Sequence, residues 1–309
     1  MQSHTGSNSG KDRDYKVVKT SYGTIRYLEI GPIAGEVMLF STGGGAGFNS
    51  VRAFEWLAQQ GFRIISINRP GYFDLPIEAA ATLEGHADIY HEVIRQLGIT
   101  EKIHVFGVSM GGLSALYYAK KYPTKSLVLW SAVTGSYKVN EAAAKSGLGK
   151  LVLSNKGKKI ISWLLVTSAK LFPKETISTF LKTEAILTHQ ERKAIAKQVV
   201  KNPESKREFL IFVDSMTPMD LLYDGMMDEI QKARELKTID WTTIHCPTFA
   251  VHSTIDPDVP IEHAKRLEAM LPNIEMMYVK AGGHFVWWGD EGEQVKKATA
   301  NFLLANTTH

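Results

Sequence analysis

The order of apolar and polar segments predicts an α/β chain. The expected form is a mostly parallel sheet of eight strands, helices on both faces, and a long helical insertion. Three observations carry this. Short apolar strands alternate with helical stretches of about 12–16 residues, the mark of βαβ units. The strands are largely continuous in apolar character, which says the sheet is covered on both faces. From about Ala132 to Thr238 the pattern turns helical and Lys-rich, and strands resume only afterwards.

The elements follow in order. Tyr15–Thr20 and Thr24–Glu29 are rich in strand formers and flank Tyr22-Gly23, a hairpin signal. Val37–Phe40 is a short apolar strand leading into Ser41-Thr42-Gly43-Gly44-Gly45-Ala46-Gly47. Helical periodicity runs from about Ser50 to Gln60. Phe62–Asn68 reads as a buried strand closed by Arg69-Pro70-Gly71-Tyr72, and Leu83–Leu97 as an amphipathic helix. Ile103–Phe106 and Ser126–Trp130 are strands around a third helix. Pro247–His252 and Ile274–Val279 complete the eight. The expected organisation is a tail at 1–14, a core at 15–132 and 239–309, and a cap at 133–238.

Composition bounds the function. The chain has 309 residues, 44% hydrophobic and 22% charged, enough to bury a full core. A net charge of +4, dispersed along the chain, argues against a nucleic-acid partner. The one cysteine, Cys246, excludes an internal disulfide framework and reads as a small filler entering a strand. The polar stretch Met1–Asp14 has no apolar signal region, and no apolar run of about 18 residues exists to span a membrane. Together these lead to a cytoplasmic expectation. They do not give the oligomeric state.

The stretch that carries chemistry is Gly107-Val108-Ser109-Met110-Gly111-Gly112, between a strand and a good helix former. A turn sharp enough to lift a serine hydroxyl off a sheet end needs neighbours nearly free of side chains. A serine is a weak nucleophile at neutral pH, so it needs a base, and the base an orienting acid. Among the ten histidines, His284 stands out, just past a strand in Ala281-Gly282-Gly283-His284-Phe285. Asp256 comes first after the strand before it, with Pro257 stiffening the turn. Asp258 is its competitor and could instead cap the helix that follows. Stabilising an oxyanion needs backbone N–H groups, which Met110 at the helix start and Gly44 or Gly43 after an earlier strand can offer. The glycine loop lacks the Gly-Lys-Ser/Thr ending of a phosphate loop. Asn68 stands where a dinucleotide site would place its acid. Neither a metal site at ligand spacing nor an organic cofactor is expected.

The order Ser109, Asp256, His284, each at a strand end, resembles the α/β-hydrolase superfamily. Gly107–Gly112 resembles its elbow, Asp256 to Pro260 its acid turn, Gly283-His284-Phe285 its histidine loop, and Asn68–Tyr72 its loop after the fourth strand. The likeness covers about 20–132 and 240–305 and is closest to lid-bearing bacterial serine hydrolases. Two departures stand out. Thr42 replaces the histidine usual before the oxyanion glycine, and the loop ends Gly-Ala-Gly without the common proline. Ser109 at the elbow sets the chain apart from relatives that use an aspartate there. The resemblance implies an esterase-like serine hydrolase working without cofactor on a small-molecule ester. Its alternatives are a ligand-sensing relative with little turnover, an acyltransferase or perhydrolase, and a carbon–carbon bond hydrolase.

The cap signals are weaker. Ala142–Lys174 carries seven lysines and no acid around Ile160–Val166. A helix packed on the core with its Lys face in solvent is the expectation, in preference to contact with a membrane surface. Met216, Met219, Leu221, Leu222, Met226 and Met227 could line an adaptable pocket or simply pack between helices. Trp163, Met216, Met219 and Phe285 are the candidate substrate contacts.

Overall fold

The computed structural model describes residues 15–138 and 154–307. The expected tail at 1–14, and the cap lysines Lys145 and Lys150, lie outside them. The sheet has eight strands: β1 Lys16–Thr20, β2 Gly23–Ile30, β3 Glu36–Ser41, β4 Phe62–Ile67, β5 Ile103–Val108, β6 Thr124–Trp130, β7 Thr248–Ser253 and β8 Ile274–Val279. Their spatial order is β1-β2-β4-β3-β5-β6-β7-β8. β2 runs antiparallel to β1 and β4, and every other pair is parallel.

Strands β5 and β7 are buried at every position, including the polar residues His104, Thr248, His252 and Ser253 among their apolar ones. Two cores result. One face packs Leu39, Val105, Leu113, Leu116 and Leu127 beneath α2 (Leu83–Gln96) and α3 (Gly111–Lys121). The other gathers Phe40, Phe54, Phe106, Trp130 and Val251. Thr82 caps α2 by accepting the Gly85 N–H, so the helix begins where the sequence places it.

One element differs from expectation. The helix foreseen over Ser50–Gln60 is a 3-10 helix at Phe48–Phe54 followed by one α-turn, α1 (Glu55–Ala58). Phe48, Val51, Phe54 and Leu57 recur every three residues and are all buried. A strict period of three aligns one face of a 3-10 helix and drifts around an α-helix.

Between β6 and β7 the described residues form helices and no strands. They are α4 (Asn155–Leu171), α5 (Pro173–Glu184), α6 (His189–Lys201), α7 (Pro203–Ser215) and α8 (Tyr223–Arg234). Ile177, Leu181, Val199, Phe209 and Val213 form a third core, which meets Phe285 and Trp288 from the loop after β8. α9 (Glu262–Met270) and α10 (Gly292–Ala305) flank the last strands. Among the described residues, no helix is long and apolar enough to cross a membrane.

Candidate active site

The ends of β5, β7 and β8 bring the sequence-nominated residues to one side of the sheet. Ser109 follows β5 directly and holds φ +52°, a left-handed conformation costing about 1–2 kcal/mol for a residue with a side chain. Three hydrogen bonds hold it there. Its N–H donates to Trp130 O at 3.0 Å, and its carbonyl accepts from Gly112 N and Val133 N, each at 2.9 Å. Gly111 makes the turn possible, because a Cβ there would lie 2.3 Å from Ser41 O.

His284 sits in the loop after β8, where Ala281 and Gly283 have positive φ. Its carbonyl accepts from Ser131 Oγ at 2.9 Å. Its N–H donates at 2.7 Å to the carbonyl of Glu184, the last residue of α5. His284 Nδ1 lies 2.8 Å from Asp256 Oδ2. Asp256 Oδ1 accepts from Asp258 N and Val259 N, each at 2.9 Å, which fixes the carboxylate plane. Asp258 takes a different place. Its Oδ1 accepts from Tyr137 OH at 2.7 Å, and its Oδ2 is 4.0 Å from His284 Nε2.

Glu184 completes an acidic surround. One polar atom each of Glu184, Asp258 and His284 lies within 4.8 Å of the others. Burial pushes the Glu184 carboxyl up to about 7; Asp258 and Asp256 add to this and the imidazole opposes it. Burial works to lower the His284 pKa, but Asp256, Asp258 and Glu184 outweigh it and hold the imidazole up to about 10. The group therefore shares protons: the imidazole holds its proton tightly while one carboxyl stands near neutrality.

The glycine loop after β3 approaches the elbow. A Cβ on Gly43 would lie 3.3 Å from Ser109 Cβ, and one on Gly44 would lie 3.4 Å from Met110 Cβ. The loop is held from behind by Arg69, which is 2% exposed. Arg69 Nη1 donates to Thr42 O at 3.0 Å, and Nη2 donates to Gly43 O at 2.9 Å and Ala46 O at 3.1 Å. Its charge is met by Glu229 of α8 at 2.9 Å, with the carboxylate 1% exposed. Tyr72 OH donates to Glu229 Oε2 at 2.6 Å and accepts from Gly45 N at 3.1 Å. The N–H of Gly44 takes part in none of these bonds. Beside the pair, burial drives His86 down to about 3, so this neighbour is neutral and adds no charge.

α8 reaches this position through a bare contact. A Cβ on Gly225 would lie 2.4 Å from Tyr72 Cδ2, so only glycine lets the helix sit against the Gly71–Tyr72 turn. Met226 follows, with its sulfur 2.8 Å from where a Gly45 Cβ would be.

The candidate substrate contacts fare unevenly. Trp163 is 65% exposed on α4, turned to solvent rather than gathered with His284. Phe285 is buried among Trp288, Phe212, Trp287 and Phe180, where it ties the third core to the histidine loop. Met216 and Met219 are half-buried, and Met219 N donates to Ser162 Oγ at 2.9 Å. Glu184 and Glu229 escaped the sequence reading. Each is an ordinary helical glutamate, and nothing nearby in sequence marks it. Arg69 and Tyr72 were visible as a motif but not as supports of the glycine loop.

This topology, with a serine turn after the fifth strand, is that of one large fold class. The chain belongs to the alpha/beta hydrolase fold family, whose model matches residues 36–290. It is 25% identical to an uncharacterized hydrolase of Bacillus subtilis over 91% of this chain and 95% of that protein. It is also 25% identical to a 2-hydroxy-6-oxononadienedioate/2-hydroxy-6-oxononatrienedioate hydrolase of Comamonas testosteroni, over 87% of this chain and 88% of that one. An alpha/beta hydrolase fold protein of Nakamurella multipartita superposes with a TM-score of 0.84 at 24% identity, covering 95% of this chain and 100% of its own. A thermophilic esterase of Thermogutta terrifontis superposes at 0.63 with 19% identity, covering 95% and 99%.

Proposed function

We propose that the chain is a serine hydrolase that cleaves a carboxylic ester, or a related acyl bond, of a small to medium uncharged substrate under a helical cap. The observations that support this are a strained Ser109 at a strand-to-helix turn and, at the end of a neighbouring part of the same sheet, His284 held by Asp256 at 2.8 Å. In this reading Ser109 Oγ attacks the carbonyl carbon and His284 accepts its proton. Asp256 orients the imidazole and supports its positive charge. The N–H groups of Met110 and Gly44 stabilise the tetrahedral oxyanion. His284 then returns the proton to the leaving alcohol, and water repeats the sequence on the acyl-enzyme.

A second reading is hydrolysis of a carbon–carbon bond beside a carbonyl, favoured by the Comamonas testosteroni relative. That relative's name describes a dicarboxylate substrate. The carboxylates of Asp256, Asp258 and Glu184 around His284 oppose a second anionic group nearby, which supports the neutral ester instead.

The test is steady-state hydrolysis of p-nitrophenyl esters of rising chain length beside a vinylogous 2-hydroxy-6-oxo acid. Turnover of the esters that disappears in Ser109→Ala is the expected result. Stoichiometric binding without turnover would replace the hydrolase reading with a ligand sensor. Faster product formation with added alcohol or peroxide would replace it with acyl transfer. Preference for the oxo acid would favour the second reading.

A further inference from the structure

α4 turns apolar side chains both inward and outward. Its buried positions are Gly157, Lys158, Ile161, Ser162 and Ala169, mostly small or polar. Ser162 Oγ accepts from Met219 N, and Lys158 reaches in to Asp224 at 3.2 Å over the Tyr223 ring. Ile161, Leu165 and Val166 also pack inward, but the remaining large apolar side chains face outward. Ile160 is 50% exposed, Trp163 65%, Leu164 46% and Leu171 66%, and Phe172 just beyond the helix is 59% exposed. Positions 160, 163, 164, 167 and 171 recur at steps of three and four, so they form one stripe along the helix. The helix thus packs one apolar side against the third core and leaves Lys156, Lys159 and Lys170 in solvent, but it carries this second apolar stripe on the outside as well. Thr167 interrupts the row, but scattered exposed apolar residues are ordinary, whereas several large ones gathered on one helix side mark a contact surface.

The charges beside the stripe indicate its partner. Lys156 stands one turn before Ile160 on the same side, and Lys159 and Lys170 fall along one flank beside Trp163. All three are exposed. Lys174 follows at the start of α5, and the first acid after Lys156 is Glu175. Lys159 lies 3.6 Å from Asp220, a loose ion pair. A surface built for a second copy of the same chain would be depleted in lysine. Apolar side chains with a tryptophan at the boundary and lysines alongside instead fit a bilayer interface. There rings rest at headgroup level and ammonium groups meet anionic lipid.

We propose that the outward face of α4 seats on an anionic bilayer surface, with the helix lying in the interface plane. Ile160, Trp163, Leu164 and Leu171 enter the headgroup boundary, and Lys156, Lys159 and Lys170 face the lipid phosphates. The contact is independent of the chemistry assigned to Ser109.

Flotation of the full chain with phosphatidylcholine vesicles, with and without phosphatidylglycerol, tests it. Capture only by the vesicles containing phosphatidylglycerol is expected, and added KCl should weaken it. Lys156→Ala and Lys170→Ala should each weaken capture by about fivefold. Trp163→Ser with Leu164→Ser should abolish it while far-UV circular dichroism stays unchanged. Equal capture by both vesicle types, or by neither, overturns the proposal. So does concentration-dependent self-association that the Trp163→Ser, Leu164→Ser variant removes in the absence of vesicle binding. Because the readout is binding, a chain without esterase turnover would leave this result standing.

Discussion

The strand-end loops and the helical insertion reach the same site by different means. Ser109, Asp256 and His284 each lie within five residues of a strand end and within short stretches marked by glycine or proline. Glu184 and Glu229 come from α5 and α8, far along the chain from the residues they touch. The loops carry the groups proposed to make and break bonds, and the insertion carries charges that act on those groups. Arg69 holds the glycine loop by three carbonyls, but its counter-charge is Glu229. His284 is oriented by Asp256, but its loop is fastened to Glu184 O and its titration is governed partly by the Glu184 carboxylate. The insertion therefore helps set the geometry and proton affinity of these groups.

Substitutions can break this comparison at either end. The largest effect is expected on the loop side. His284→Ala should lower kcat/KM for a p-nitrophenyl ester by about 3–6 orders of magnitude, and Asp256→Asn by about 4, both read by steady-state kinetics. If Asp258→Asn were the costlier of the two aspartate changes, the acid would have to be reassigned.

On the insertion side, Glu229→Gln leaves the Arg69 charge buried without its partner. We expect a loss of about 3–5 kcal/mol of stability, read as a fall of roughly 6–10 °C in Tm. A fall in kcat of about 10–100-fold with KM little changed should accompany it, if the glycine loop that Arg69 holds carries the oxyanion donor proposed for Gly44. Arg69→Met with Glu229→Leu separates the two roles. An apolar replacement of the pair should recover Tm and leave kcat low. Recovery of both would reduce the pair to a structural element.

A smaller effect is expected at Glu184. A general base must be unprotonated, so with His284 held up to about 10 the acidic limb of the kcat/KM profile should lie above the ordinary imidazole value near 6.5. Glu184→Gln removes a charge that favours the imidazolium, so the limb should move to lower pH. Asp258→Asn should move it the same way, with little change in the plateau rate. A profile unmoved by either change would disconnect the insertion from the proton chemistry.

The same contrast explains what was legible in the sequence. Strand-borne features could be read because their causes are local. An apolar run followed by Gly-x-Ser-x-Gly fixes strand, turn and helix within a dozen residues. The 3-10 helix at Phe48–Phe54 went unread because apolar spacings of three and of three-to-four overlap over so short a stretch. The outward apolar stripe of α4 was hidden for another reason. Composition tells that a helix is amphipathic, and only its neighbours decide which side turns inward. Glu184 and Glu229 carry no local mark at all, since their meaning depends on partners from 74 to 160 positions away, at Arg69, Tyr72, Asp258 and His284.

Everything at this site depends on Ser109 being the nucleophile. Labelling with a fluorophosphonate probe, read by intact mass and peptide mapping, tests this most directly. The account predicts one adduct per chain, on the peptide containing Ser109, and none in Ser109→Ala. Equal labelling of the alanine variant, or an adduct on another residue, would contradict it.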